Sequence, residues 1–240
     1  MVSGSFNLAG RPVPLPEGEF VLAASAITDA RIVQGDISRP RSRIVNVFLA
    51  QVEAGKLRNA VWAATVLESR AGPFNWVQEP CRKDDTLFRL NLADDTSHGE
   101  YAHHNCLIVE HWVRRLAPNA PGILKEASAW LAQGNVEVPV PLLIAATVTR
   151  TERREFIRAT YLFNPQAFGC SAPRSRSSAD SPWHRNFIER DPQRVRFVES
   201  VTAWGKFVQY QFDKLITRRG RLAAAETAAS TIYQCADRPL

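Results

Sequence analysis

The chain has 240 residues, of which 45% are hydrophobic and 22% are charged, and its formal net charge is +6 at pH 7. This composition is typical of a globular protein and excludes a collagen, a coiled coil and a largely disordered chain. The length suits one large domain or two small ones. We expect a single α+β domain over residues 1–240, with a positive charge that permits an anionic partner without requiring one.

The first part of the chain predicts an extended segment followed by strands. Pro and Gly are frequent over residues 5–19, which predicts an extended lead-in, and residues 29–42 are polar and predict a loop. Residues 44–52 and 59–67 are rich in β-branched and aromatic side chains. Gly55 lies between them and suits a turn, so the two runs predict a β-hairpin.

The second part of the chain predicts a strand, two helices and a second hairpin. Residues 105–113 predict the strand. Apolar side chains recur with a 3.6-residue period near 120–133 and near 192–219, which predicts two helices. Residues 140–149 and 156–163 predict the hairpin, joined by a polar turn that we expect to be solvated. Strands that come as hairpins predict an α+β fold, with an antiparallel sheet built from two hairpins and packed by the two helices.

Two segments have the composition of mobile regions, and none has that of a membrane span. Residues 171–182 are rich in Ser, Arg and Pro and predict a mobile loop, and residues 222–240 predict a flexible tail. The longest uncharged apolar run, 138–149, is shorter than the roughly 20 residues that a spanning helix needs. Residues 1–20 lack the apolar region of a signal peptide. We therefore expect either a cytoplasmic protein or a chain that starts at the head of a processed domain.

The four cysteines allow two interpretations. They are Cys81, Cys106, Cys170 and Cys235, and none forms a C-x-x-C pair. In an oxidised protein we would pair 81 with 106 and 170 with 235, but the sequence leaves all three connectivities open. In a reduced protein they would be four unrelated buried thiols. We favour at least one disulfide.

One stretch of the sequence resembles a known group of proteins. Residues 6–20 read FNLAGRPVPLPEGEF. This stretch resembles the mature start of uncharacterised exported bacterial proteins, which open with F-x-x-x-G-x-P-V-P-L-P-x-G-E-(W/F) just after a signal peptide. The spacing of Cys81 and Cys106 and the position of Trp204 in the last helix fit the same resemblance. It implies a periplasmic or secreted location and no particular activity.

Histidines are concentrated in one segment, which is a candidate metal site. His98, His103 and His104 lie near acidic residues within 94–111, and imidazole and carboxylate groups are ligands of transition metals. However, no H-E-x-x-H or C-x-x-C spacing occurs. Because side chains alternate along a strand, the faces of the predicted strand also separate Cys106 from the last histidine of the segment. We therefore expect a polar loop before a strand, with a metal-dependent enzyme as the alternative function.

Candidate binding residues lie in predicted loops. Trp76 and Trp183 stand near prolines, and an exposed tryptophan is a common recognition residue, although we favour packing over the edge of the sheet for both. Arg153 and Arg154 lie in the polar turn of the second hairpin and could contact an anionic surface. The sequence has no phosphate-binding loop and no nucleotide-binding fingerprint, so no cofactor is predicted.

These observations rank three functions. The leading hypothesis is a non-enzymatic exported module that binds a ligand or another envelope protein. The first alternative is the metal-dependent enzyme. The second alternative is a cytoplasmic basic module that contacts nucleic acid, which we do not favour because few aromatic residues accompany the arginine clusters.

Overall fold

The computed structural model describes residues 1–34, 37–69, 80–95, 103–112, 116–138, 143–152, 155–171, 179–217 and 231–235. Within these ranges the chain forms two α-helices, one antiparallel sheet of seven strands and a separate two-stranded antiparallel sheet. The predicted α+β class, its antiparallel sheet and its two helices are confirmed. The sheet is larger than the two predicted hairpins because further segments of the chain join it.

The main sheet consists of consecutive antiparallel neighbours. Its strands are β3 (Val21–Gln34), β4 (Ile37–Glu53), β5 (Lys56–Ser69), β6 (Phe88–Asp95), β7 (His103–Trp112), β8 (Leu143–Glu152) and β9 (Glu155–Phe163). Their order across the sheet is β3-β4-β5-β9-β8-β7-β6. The two predicted hairpins are β4–β5 and β8–β9, and β5 pairs with β9 to join them at the centre.

The proline-rich start of the chain is folded, which corrects the extended lead-in expected from the sequence. β1 (Ser5–Leu8) pairs with β2 (Arg11–Pro14) around a turn in which Gly10 has φ +80° and donates its N–H to the side chain of Asn7. Leu8 and Val13 are buried in the main core. This small hairpin therefore covers part of the main sheet.

The predicted loop over residues 29–42 is also wrong. β3 and β4 pair through this region, from Asp29 with Arg43 to Gln34 with Ile37, with one shift of register between Ala30 and Arg31. Residues 29–42 are mostly polar and lack the alternating apolar pattern of a strand. Their pairing depends on backbone hydrogen bonds between β3 and β4, which the sequence does not reveal. β6, at the opposite edge of the sheet, was not predicted either.

The two helices lie on opposite faces of the sheet. α1 (Ile123–Gln133) contacts β3 and β4, whereas α2 (Pro192–Thr217) contacts β7 and β8. Side-chain alternation along the strands divides the apolar residues between two cores. In β9, for example, Tyr161 faces the α2 core and Leu162 faces the α1 core.

α2 packs closely on the sheet over its middle. Its start is capped by Asp191, whose carboxylate accepts the N–H of Gln193 at 3.0 Å. Trp204 is 4% exposed, and its ring meets that of Tyr161 edge to face with 5.7 Å between centroids. A Cβ on Gly205 would come within 2.5 Å of Leu107, so glycine allows this close approach.

The expected mobile segments lie largely outside the described residues. This applies to residues 172–178 of the predicted loop and to most of the tail over 222–240. Within the tail, Ile232 and Cys235 are buried against the main core. No α-helix in the described ranges is both long and apolar enough to span a membrane.

Candidate functional site

Two disulfides join distant parts of the chain. Cys81 is bonded to Cys106 on β7, and Cys170 is bonded to Cys235 in the 231–235 segment. This is the oxidised pairing considered from the sequence, and the four bonded sulfurs hold no reactive thiol. Because disulfides persist mainly in oxidising environments, both bonds fit such a compartment.

The histidine-rich segment does not assemble into one site. His103 is exposed at the start of β7 and the next residue, His104, is buried. Neighbours on a strand also point to opposite faces of the sheet. His98 lies outside the described residues. Cys106 is in a disulfide and offers no thiolate to a metal. Among the residues that the structure describes, no group of three His, Cys, Asp or Glu side chains could hold a metal ion.

The candidate binding tryptophan that the structure describes is a core residue. Trp183 is fully buried, and its ring meets Phe197 edge to face with 5.6 Å between centroids. The indole N–H donates to the carbonyl of Ser171 at 3.4 Å. A recognition role would require an exposed ring, so this tryptophan is placed to stabilise the fold. Trp76, Arg153 and Arg154 lie outside the described residues.

A histidine pair that the sequence did not indicate lies at the end of β7. The rings of His111 and His184 are stacked with centroids 6.3 Å apart. The Nδ1 of His184 accepts the N–H of Asn186, so its Nε2 carries the hydrogen and donates to Asp85 at 3.1 Å. Arg185 lies beside the same carboxylate and donates to the carbonyl of Asp84.

The pKa of His111 is strongly lowered in this cluster. Burial is the main cause, the neighbouring His184 lowers the pKa further and Asp85 raises it, and the result is a pKa of about 4. The Nε2 atom of His111 is buried and has no hydrogen-bond partner among the described residues. The ring is therefore neutral at pH 7 and links β7 to the segment that precedes α2.

A polar cleft of about 360 Å³ lies at the end of the sheet where β4 turns into β5. It lies between segments that are far apart in sequence. Its lining residues are Pro16, Glu17, Gly18, Gln51, Glu53, Arg58, Asn59, Phe168, Thr231, Ile232 and Gln234. The Cys170–Cys235 disulfide fastens the 231–235 segment that forms one wall.

A chain of amides forms the floor of the polar cleft. Asn59 donates its Nδ2 to Gln51 Oε1 at 2.7 Å, and Gln51 donates its Nε2 to the carbonyl of Glu17 at 3.3 Å. A Cβ on Gly18, which has φ +116°, would lie 1.9 Å from Gln51 Nε2, so only glycine leaves room for this bridge. Asn59 is 3% exposed, and its Oδ1 has no hydrogen-bond partner among the described residues.

Arg58 and Glu17, two charged residues of the polar cleft, differ in how many contacts they make. Arg58 forms an ion pair with Glu53, donates to the carbonyl of Ala167 at 3.3 Å and lies over the ring of Phe168, 4.4 Å from its centroid. Glu17 is exposed at the rim. The cleft thus combines a guanidinium that is bonded through its Nη1 atom with the carboxylates of Glu17 and Glu53.

No sequence pattern indicates this cleft, because its residues are chemically ordinary and converge only in the folded chain. No protein-family model, curated protein or solved structure matches the chain. The polar cleft and the two disulfides are therefore the features that point to a function.

Proposed function

We propose that the protein is a non-enzymatic, exported binding module that holds a small polar ligand in the polar cleft. The observation that carries this proposal is the cleft itself, which brings together Glu17, Asn59 and Thr231 from distant parts of the sequence. Its lining combines charged and amide side chains with apolar ones, which suits a small polar ligand.

The walls of the polar cleft are suited to binding without large rearrangement. The Cys170–Cys235 bond fixes the wall that contains Ile232, and the amide bridge through Gln51 fixes the floor. A site that is ordered before binding loses less conformational entropy when the ligand arrives. The cleft volume is at the small end of the range for ligand pockets, which favours a ligand of few atoms.

The proposed location outside the cytoplasm has two supports. Both disulfides fit an oxidising compartment, and the periplasm or the exterior of the cell is the common one in bacteria. Residues 6–20 also resemble the start of exported bacterial proteins. Three residues of that stretch, Pro16, Glu17 and Gly18, line the polar cleft, so the same stretch supports both the location and the site.

Nuclear magnetic resonance can test the proposed binding site. We expect at least one member of a panel of amino acids, simple amines, amides and monosaccharides to shift the side-chain amide signals of Gln51 and Asn59 in a saturable way. Asn59→Leu removes an amide that lines the cleft together with its hydrogen bond to Gln51, and it should abolish the saturable change at Gln51. Asn186→Leu changes an exposed asparagine away from the cleft and should leave it intact. Equal responses in both variants would show that the cleft is not the site.

A further inference from the structure

We propose that the contact between His111 and His184 is an acid-sensitive latch, which opens locally when His111 is protonated while the rest of the fold stays in place. His111 lies near the end of β7, and His184 begins the turn of residues 184–188 that precedes α2. The two rings are nearly parallel, with an angle of 17° and 6.3 Å between their centroids. The contact therefore joins two elements that are far apart in sequence, and both rings belong to the residue type that gains a charge in mild acid.

Asp85 is the carboxylate that faces this histidine pair. Its Oδ1 atom accepts a hydrogen bond from His184 Nε2 at 3.1 Å and lies 3.9 Å from Nε of Arg185. Asp84 contributes its backbone carbonyl, which accepts a hydrogen bond from Arg185. The Asp85 side chain is 57% exposed and already serves two groups, so it compensates a further cation only weakly. We call His111, His184 and Asp85 the histidine latch.

The other neighbours of His111 do not neutralise a charge on its ring. Glu110 precedes it on β7 and points to the opposite face of the sheet, where it forms an ion pair with Lys83. Ile144, which lies opposite His111 on β8, is apolar. The Nε2 atom of His111 is buried and has no hydrogen-bond partner among the described residues. A proton on this ring is therefore a poorly compensated buried charge beside a second imidazole.

Acid favours the open latch because the open form binds the proton more strongly. In the closed latch, burial and the neighbouring His184 lower the pKa of His111 to about 4, although Asp85 raises it. In the open form the ring is solvated and its pKa returns to about 6.5. Between these two values, each pH unit of acidification should favour opening by up to about tenfold. The turn is short, and short segments commonly open without global unfolding.

Native-state hydrogen exchange, followed by nuclear magnetic resonance at pH 7 and pH 4.5, tests the histidine latch. The reporters are the backbone amides of Asn186 and Phe187, which donate to the Nδ1 atom and the carbonyl of His184. After correction for the chemical exchange rate at each pH, their opening equilibrium constant should be at least about tenfold larger at pH 4.5. Low concentrations of urea should leave it unchanged but accelerate exchange in the cores of β8 and β9, because local opening exposes little surface.

Two pairs of variants connect this response to named groups. His111→Gln does not titrate, so the increase at the two reporter amides should fall below about threefold. His103→Gln alters an exposed histidine on the same strand and should respond like the wild type. Asp85→Asn removes the compensating carboxylate, so its increase should exceed that of the wild type. Asp84→Asn retains the backbone carbonyl that Arg185 contacts and is the matched control. Asp85 is exposed, so its variant tests the latch even if His111→Gln does not fold.

The possible results either support or overturn the latch. Opening that increases in acid, does not depend on urea and requires His111 supports it. If acid does not increase the opening at the reporter amides, or if His111→Gln responds like the wild type, His111 does not control this contact. If urea accelerates the reporters and the core amides equally, the turn opens only by global unfolding and no local latch exists. If Asp85→Asn and Asp84→Asn respond alike, the role assigned to the Asp85 carboxylate is wrong.

Discussion

At the level of single residues, His111 makes stability depend on pH. Its pKa is about 4 in the folded chain, mainly because it is buried, against 6.5 for an ordinary histidine. Between these two values the unfolded chain binds more protons than the folded chain. The free energy of unfolding should therefore fall as the pH drops from 6.5 to 4, with a contribution from His111 of about 2 kcal/mol at pH 5.

Urea denaturation at pH 7 and pH 5 checks this expectation. His111→Gln should lose about 2 kcal/mol less than the wild type on acidification, because glutamine does not titrate. His103→Gln alters an exposed histidine on the same strand and should follow the wild type. If His111→Gln and the wild type lose equal stability between the two pH values, the lowered pKa does not control the response.

Arg150 shows what cannot be predicted at the residue scale. The sequence places it in the polar turn of the second hairpin, which is expected to be solvated, yet it is 2% exposed. Its Nε donates to Asp213 of α2 at 2.9 Å, and Asn105 donates to the same carboxylate oxygen at 3.0 Å. Gln209 completes the network by donating to Asn105. Burial of a charge depends on partners that are distant in sequence, and no local pattern reveals them.

At the level of elements, α2 depends on Trp204. The side chain is almost fully buried between the helix and Tyr161 of the sheet. Replacing a core tryptophan by alanine costs about 3–5 kcal/mol, so Trp204→Ala should strongly lower the melting temperature. Tyr210→Ala removes an aromatic ring from the same helix that is 55% exposed, and it should change stability by no more than about 0.5 kcal/mol.

Thermal denaturation followed by circular dichroism measures both variants. The contrast between two aromatic residues on one helix separates core packing from helix propensity. If both variants have the melting temperature of the wild type, the contact of Trp204 with Tyr161 does not stabilise the position of the helix. If Trp204→Ala keeps wild-type stability but loses the saturable change of the Gln51 amide signals, Trp204 would belong to recognition.

The elements that could be predicted are those with a strong local pattern. α1 and α2 have apolar residues at a 3.6-residue period, and β4–β5 and β8–β9 have β-branched runs around a turn. The β1–β2 hairpin could not be predicted, because proline is typical of segments without regular structure. The hairpin is stabilised by packing on the main core, which the local sequence does not show. The edge strand β6 has only half-buried or exposed residues over 88–93, so it lacks the alternating apolar pattern that predicts a strand.

At the level of the whole molecule, the polar cleft is a product of topology. Its lining joins residues 16–18, the β4–β5 end of the sheet, Phe168 and residues 231–234. The residues that stand out in the sequence are instead clustered histidines, loop tryptophans and clustered arginines. Asn59 and Gln51 have no distinguishing local pattern, because the hydrogen bond between them forms only when β4 pairs with β5.

The disulfides provide a test at this scale, because they close loops of different length and only one of them borders the polar cleft. Cys170 and Cys235 are 65 residues apart, and Cys81 and Cys106 are 25 residues apart. On the chain-entropy estimate, losing the longer loop costs about 4 kcal/mol and losing the shorter one about 3.5 kcal/mol. Replacing either pair by alanines should therefore destabilise the protein to a similar extent in urea denaturation.

Ligand binding should distinguish the two double variants. Cys170→Ala with Cys235→Ala releases the wall that contains Ile232, so the compound that shifts the amide signals of Gln51 should bind more weakly even where the protein is fully folded. Cys81→Ala with Cys106→Ala changes two residues that do not line the cleft and should leave the affinity unchanged. Titration at low temperature without urea keeps both variants folded and isolates the local effect. Equal loss of affinity in both variants would mean that the disulfides act on the cleft only through global stability. Wild-type affinity in both variants would mean that the wall of the cleft does not need its covalent bond.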